Sequence, residues 1–280
     1  MRSLVLMLIT VNLTCAQSTE IGDANVDRIL EEFKSSSWAE RSSAFDEATR
    51  LIGSHSLNRE NGDKLRVGLI GLLSTENTEA RTKRGVGRKL PGSAKKDLDK
   101  SAQSEERSEY YGDLIGAVAD FNDARAIPAL LGATATGGMA SRSVAGFGKT
   151  GLDVVLVQIT AHDPALAGGA VFVLRDMLEF RTVNDAASLN RIKNGLRLAL
   201  ARPELAVREP AIFAIEFLAD REDFVPLLRL ISDNDPIKID GLTPNDSEDG
   251  GQFYPVRRDA RILLNKIATH EAPVIDQGAN

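Results

Sequence analysis

Apolar residues recur along this chain at i, i+3, i+4 and i+7, the spacing that collects them on one face of an α-helix. Val26, Ile29, Leu30 and Phe33 form one stripe, and Leu65, Leu69, Leu72 and Leu73 a second. Leu152, Val155, Leu156 and Ile159 form another, as do Leu189, Ile192, Leu196 and Leu200. The last two are Phe224, Leu227, Leu228 and Ile231, then Ile262, Leu263 and Ile267. Nowhere does a period-two alternation persist, so no substantial sheet is predicted. Gly, Pro, Asp or Asn closes each stripe. The stripes group into about six helix pairs, over 23–53, 62–119, 123–149, 152–180, 184–219 and 222–269. Such a pair cannot bury both of its apolar faces alone, so its neighbours must stack on it.

A short motif recurs where the second helix of a pair should open. Arg41-Ser-Ser-Ala44, Arg142-Ser-Val-Ala145, Arg208-Glu-Pro-Ala211 and Arg257-Arg-Asp-Ala260 all read Arg-x-x-Ala, and Ala167-Gly-Gly-Ala170 takes the same place without Arg. Ala or Gly at that point lets helices approach closely. A second echo sets Ala126-Ile-Pro-Ala-Leu-Leu131 against Phe224-Val-Pro-Leu-Leu228, each after an Ala-Asp step and each with Pro in a first turn, where its missing N–H costs little.

Val207-Arg208-x-x-Ala211 and Val256-Arg257-x-x-Ala260 resemble the Val-Arg-x-x-Ala core of HEAT and HEAT-like repeats of the PBS-lyase type. The segments beginning at Asp123 and Phe147 are similar to the turn and first helix of those repeats. The resemblance covers most of 23–269 and is clearest in the second half. It implies an all-α fold, an α-solenoid winding as a right-handed superhelix of antiparallel helix pairs, with second helices on the concave face. It specifies architecture and says almost nothing of activity.

Composition adds a compartment. Arg2, the apolar run Leu4–Leu13 and the small residues Thr14-Cys15-Ala16 read as a signal peptide over 1–16, with Gln17 as the new first residue. The run is too short to span a membrane, which takes about 20 residues. A lipoprotein would be cut before Cys15, but Thr14 and Asn12 stand where that signal wants a small and an aliphatic residue. Cys15 is the sole cysteine, so no disulfide is expected in the mature chain. The chain is therefore expected to be secreted or periplasmic, with a short tail over 17–22, the solenoid over 23–269 and a flexible tail over 270–280. The net charge of −6 and an aromatic content of 5% argue against nucleic acid as a partner.

Two interruptions stand out. Residues 76–108 form a basic insertion, with Arg81, Lys83, Arg84, Arg88, Lys89, Lys95, Lys96 and Lys100 broken by Gly85, Gly87, Pro91 and Gly92. This predicts a solvated excursion between two helices, with an anionic partner as the alternative. Residues 232–252 form an acidic loop whose Asp233, Asp235, Asp240, Asp246, Glu248 and Asp249 could offer oxygens to a weak calcium site. It is not an EF-hand: counting from Asn245, the twelfth position is Val256 rather than Glu. Gly148-Lys149-Thr150 looks like the end of a phosphate loop, but the pattern wants Gly where Ser143 stands. His55, His162 and His270 are scattered near helix ends, which suits no metal or nucleophilic site. Trp38 reads as a packing anchor.

No catalytic, cofactor or metal residues are therefore expected. The reading is a non-catalytic scaffold that binds a protein or peptide on its concave surface; the alternatives are an accessory lyase-like enzyme or a self-assembling envelope component. The repeated arginines are expected to bond turn acids or carbonyls, while Arg142, Arg208, Arg257 and Arg258 are the candidates for facing a partner's carboxylates or phosphates.

Overall fold

The computed structural model describes residues 25–54, 57–86, 97–135, 139–240 and 252–270; the expected signal peptide and both tails, save His270, lie outside them. Among these residues the fold is helical. The helices are α1 (residues 25–32), α2 (Trp38–Gly53), α3 (Arg59–Val86), α4 (Asp97–Asp120), α5 (Ile127–Thr134) and α6 (Met139–Gly146). They continue as α7 (Gly148–Gln158), α8 (Pro164–Glu179), α9 (Ala186–Leu200), α10 (Leu205–Ile215), α11 (Val225–Asn234) and α12 (Pro255–Ala268). The one ladder among them joins β1 (Ile239–Asp240) to β2 (Gln252–Phe253), antiparallel, at the two ends of the acidic segment. No helix of the described residues is long and apolar enough to cross a membrane.

Local chemistry explains the helix starts. Ser37 accepts from the Glu40 N–H to cap α2, and Asp163 accepts from the Ala165 N–H at 2.9 Å ahead of Pro164. Asp185 caps α9, and hydrogen bonds from Ser188 together with Lys149 hold its carboxyl down at about 2. The proline echo is a structural repeat. A 3₁₀ turn leads into α5 and another into α11, and Ile127 and Val225 share one conformation (φ −52, ψ −47 and φ −52, ψ −46). Asn122, Arg181 and His270 turn left-handed just past the ends of α4, α8 and α12.

The chain divides into two compact units, residues 1–129 and 130–280. In the first, α2, α3 and α4 pack together over Leu65, Leu69, Leu72, Leu73 and Leu114, all essentially inaccessible. Here the basic segment departs from expectation. Helix continues through Gly85 to Val86 and resumes at Asp97, and Glu76 and Asn77, at its start, are buried. Residues 87–96 lie outside the described residues.

In the second unit α6, α8, α10 and α12 each pack on the next, while α7 and α9 lie against α8, and α11 against α12. Ser141 on α6 meets Asp176 on α8, Gly168 on α8 lies against Ala206 at the start of α10, and Lys266 on α12 meets Glu216 on α10. Thr134, at the end of α5, lies against Gly169 on α8. A Cβ on Gly168 would sit 2.1 Å from the Ala206 carbonyl oxygen, and one on Gly169 2.0 Å from Thr134 Oγ1, so the small residues of Ala167–Ala170 do permit the close approach. Ala145, Ala211 and Ala260 of the repeated motif are fully buried in the same contacts. Ile262 breaks the expected stripe: it is 48% exposed, because α12 turns Leu263 and Ile267 inward instead.

Candidate partner-binding face

The motif arginines occupy one place in sequence and several in structure. Arg41 is buried, donating from Nε to Glu76 at 2.6 Å, from Nη2 to Glu79 at 2.8 Å and from Nη1 to the Ser35 carbonyl at 2.7 Å. Arg107 closes the same network against Glu79 at 2.5 Å, and Tyr110 donates to Glu76 at 3.3 Å. Burial works against the charge on Arg41, but the Glu76 and Glu79 carboxylates outweigh it, so its pKa rises. Burial and the Glu76 charge push the Tyr110 phenol up as well. Trp38 leans on Tyr110 at 6.4 Å, as a packing anchor would.

In the second unit Arg208 faces the buried Asp235 at 2.7 Å, and Arg257 donates to the Asp235 backbone carbonyl at 2.7 Å while lying 4.0 Å over Tyr254. Arg258 donates to Asp259 at 2.9 Å and lies over Phe253. Asp235, counted among the acids for a calcium loop, is thus engaged with arginines. Asp246, Glu248 and Asp249 lie outside the described residues. Among the described residues no group of three or more His, Cys, Asp or Glu is placed to hold a metal ion. Lys149, from the phosphate-loop lookalike, pairs with the α9 cap Asp185, and Gly148 supplies the left-handed turn (φ +55) between α6 and α7. His162 and His270 are exposed, and His55 lies outside the described residues.

Arg142 differs from the other three candidates. It is exposed on α6, its guanidinium lies 4.5 Å from the centre of the Phe180 ring, and it has no ion pair among the described residues. Arg175 on α8 lies over Phe172 and bonds to Asp176 and Glu179. Five arginines of this unit lie over aromatic rings, Arg197 above Phe224 being the fifth.

The packed helices also leave apolar side chains outside. Phe172 on α8, Phe213 on α10 and Ile262 on α12 are 37%, 39% and 48% exposed. The same helices carry an acid pair, Glu209 on α10 and Asp259 on α12: burial, then the Asp259 charge, raise the Glu209 pKa against the pull of Arg258. The face thus carries rings, guanidiniums and a few carboxyls. Sequence reasoning missed Phe172, Arg175 and Phe213. They lie in nearly all-apolar stretches, AVFVL and AIFAI, where periodicity marks no outward side.

The first unit holds a separate hollow. A groove of about 920 Å³ runs between α1 and α3, floored by Leu30, Phe33, Val67 and Leu72 and rimmed by Asp27, Glu31, Lys34 and Lys64. Gly71 lies open in it, with nothing within 4 Å of where a Cβ would be. No protein-family model matches this chain, and no curated protein is significantly similar to it.

Proposed function

We propose that this chain is an exported, HEAT-like α-solenoid that acts as a non-catalytic scaffold, holding a protein or peptide on the concave surface formed by the solvent-facing side of its second helices. The carrying observation is the row of exposed apolar side chains on α8, α10 and α12, flanked by ring-stacked arginines. Apolar and aromatic residues with Arg form the energetic centres of protein interfaces, and a stack of helix pairs offers a long surface for them. The successive packing of α6, α8, α10 and α12 supports the repeat reading, and the apolar run at Leu4–Leu13 supports export.

Two measurements test this. A photo-crosslinking residue at position 213 should give a discrete protein adduct in cells, while the same residue at position 157, exposed on α7, should give none. Failure at 213 sinks the scaffold reading for this face. Terminal sequencing of the exported protein should begin at Gln17; a retained leader in the cell interior would sink the export reading.

A further inference from the structure

We infer that a cavity in the second unit binds a small monocarboxylate with an aliphatic body. The cavity holds about 370 Å³ and is lined by residues of α9, α10 and α11 and by those that directly follow α9 and α11. That volume falls within the range of small-ligand sites, about 300–1,000 Å³. Phe172, Phe213 and Ile262 are not part of its lining, so this site is separate from the scaffold face.

The charges of the lining do not balance. Arg197 on α9 and Arg208 on α10 are its two cations, and Asp235 is its one acid. Asp235 is buried and already engaged. Arg208 Nη2 lies 2.7 Å from it, the Ile237 N–H donates to its Oδ1 at 2.9 Å, and Arg257 donates to its backbone carbonyl at 2.7 Å. Its charge is thus set against Arg208. Arg197 has no ion pair among the described residues. Its Nη1 donates to the neutral Asn194 side chain at 3.1 Å, and its guanidinium lies over the Phe224 ring, 4.9 Å from the centre. Stacking on a ring covers the flat side of a guanidinium and leaves N–H donors at its edge. The bonding of Arg208 is incomplete as well: its buried Nε has no hydrogen-bond partner among the described residues. One surplus positive charge with spare N–H donors suits one carboxylate.

The walls specify the rest of the ligand. Leu200, Leu227, Leu230, Ile231 and Pro236 line the cavity together with the arginines. Leu230 is 60% exposed, a large apolar side chain that a ligand would cover. Taking apolar surface out of water favours binding roughly in proportion to the area covered. A bare anion would meet the guanidiniums and leave these walls wet. A hydrocarbon would cover the walls and leave the guanidiniums desolvated without an acceptor. An aliphatic acid satisfies both.

Isothermal titration calorimetry of the full chain with hexanoate tests this, set against hexanamide, acetate and acetyl-Gly-Gly-Leu. Hexanoate should bind about tenfold more tightly than hexanamide, which keeps the body and loses the charge. It should exceed acetate, which keeps the charge and loses the body, by about tenfold or more. Arg197 is exposed, so R197Q should fold, as circular dichroism will check. In that variant the preference for hexanoate over hexanamide should shrink to about twofold or less, while L230S should weaken both six-carbon ligands. Absence of hexanoate binding at millimolar concentration, equal binding of hexanoate and hexanamide, or a preference unchanged in R197Q overturns the inference. Acetate binding as tightly as hexanoate would show a bare anion site, and tighter binding of the tripeptide would show a chain terminus as the occupant; either also overturns it. Crosslinking at position 213 reports on the scaffold face alone, so the two readings fail separately.

Discussion

Arg41 and Arg142 hold the same place in the repeated motif and do opposite work. In the first unit Arg41 is 1% exposed and ties α2 to α3 through Glu76 and Glu79, with Arg107 and Tyr110 of α4 completing the network. In the second unit Arg142 stands in solvent over one ring, and the helix contacts are made by Gly168, Gly169 and buried alanines. The first region buries its motif arginine between carboxylates, and around Gly168 and Gly169 the second brings its helices together through small residues. A guanidinium can be buried only where acids meet it. Where α3 supplies Glu76 and Glu79 the arginine turns inward, and where no acid is offered it stays out and is free to meet a ligand.

The largest expected effect lies in the charged region. Arg41→Met leaves the Glu76 carboxylate buried with one partner fewer and should cost about 3–5 kcal/mol. Urea unfolding followed through Trp38, the sole tryptophan, reads this directly because that ring sits on the network. The same change at Arg142 should stay within about 0.5 kcal/mol; equal losses at the two positions would erase the contrast. Next comes the small-residue region, where Gly168→Ala drives a Cβ into the Ala206 carbonyl oxygen. Overpacking of this kind should cost about 1–3 kcal/mol, seen in the helical melting curve. Gly71→Ala has open space and should instead stabilise by about 0.4–1 kcal/mol, so a loss there would show that the groove wall is not free.

The smallest effect concerns Glu209. Its pKa is raised by burial and by Asp259, so the folded state favours the proton. That contribution is present below the unfolded carboxyl pKa, about 4.3, and is lost as pH rises through the higher folded value. Glu209→Gln, neutral throughout, should therefore raise the melting temperature at pH 7 relative to the parent, with the gap closing near pH 4. A gap that widens on acidification would place the charge burden elsewhere.

Much of the helical layout is legible in the sequence. The stripes around Ile29, Leu69, Leu152, Ile192 and Leu228 lie in α1, α3, α7, α9 and α11 with those residues buried, because a solvated helix must keep one apolar side. The proline echo at Pro128 and Pro226 marks two identical local turns, since proline and its neighbours act within one turn of chain. Ile262 shows the limit. It shares a stripe with Leu263 but faces solvent, because α11 and α10 cover α12 on another side. Glu76 shows a second limit: in a basic, glycine-broken segment its burial depends on Arg41, thirty-five residues earlier.

The sequence by itself determined most of the helical segments and that small residues would sit in their contacts, since propensity and periodicity act over a few neighbouring residues. The tertiary structure alone decided that Arg41 is buried and Arg142 exposed, and that Phe172, Phe213 and Ile262 face outward. Those outcomes depend on what a distant helix presents at the point of contact, and no local pattern carries that information.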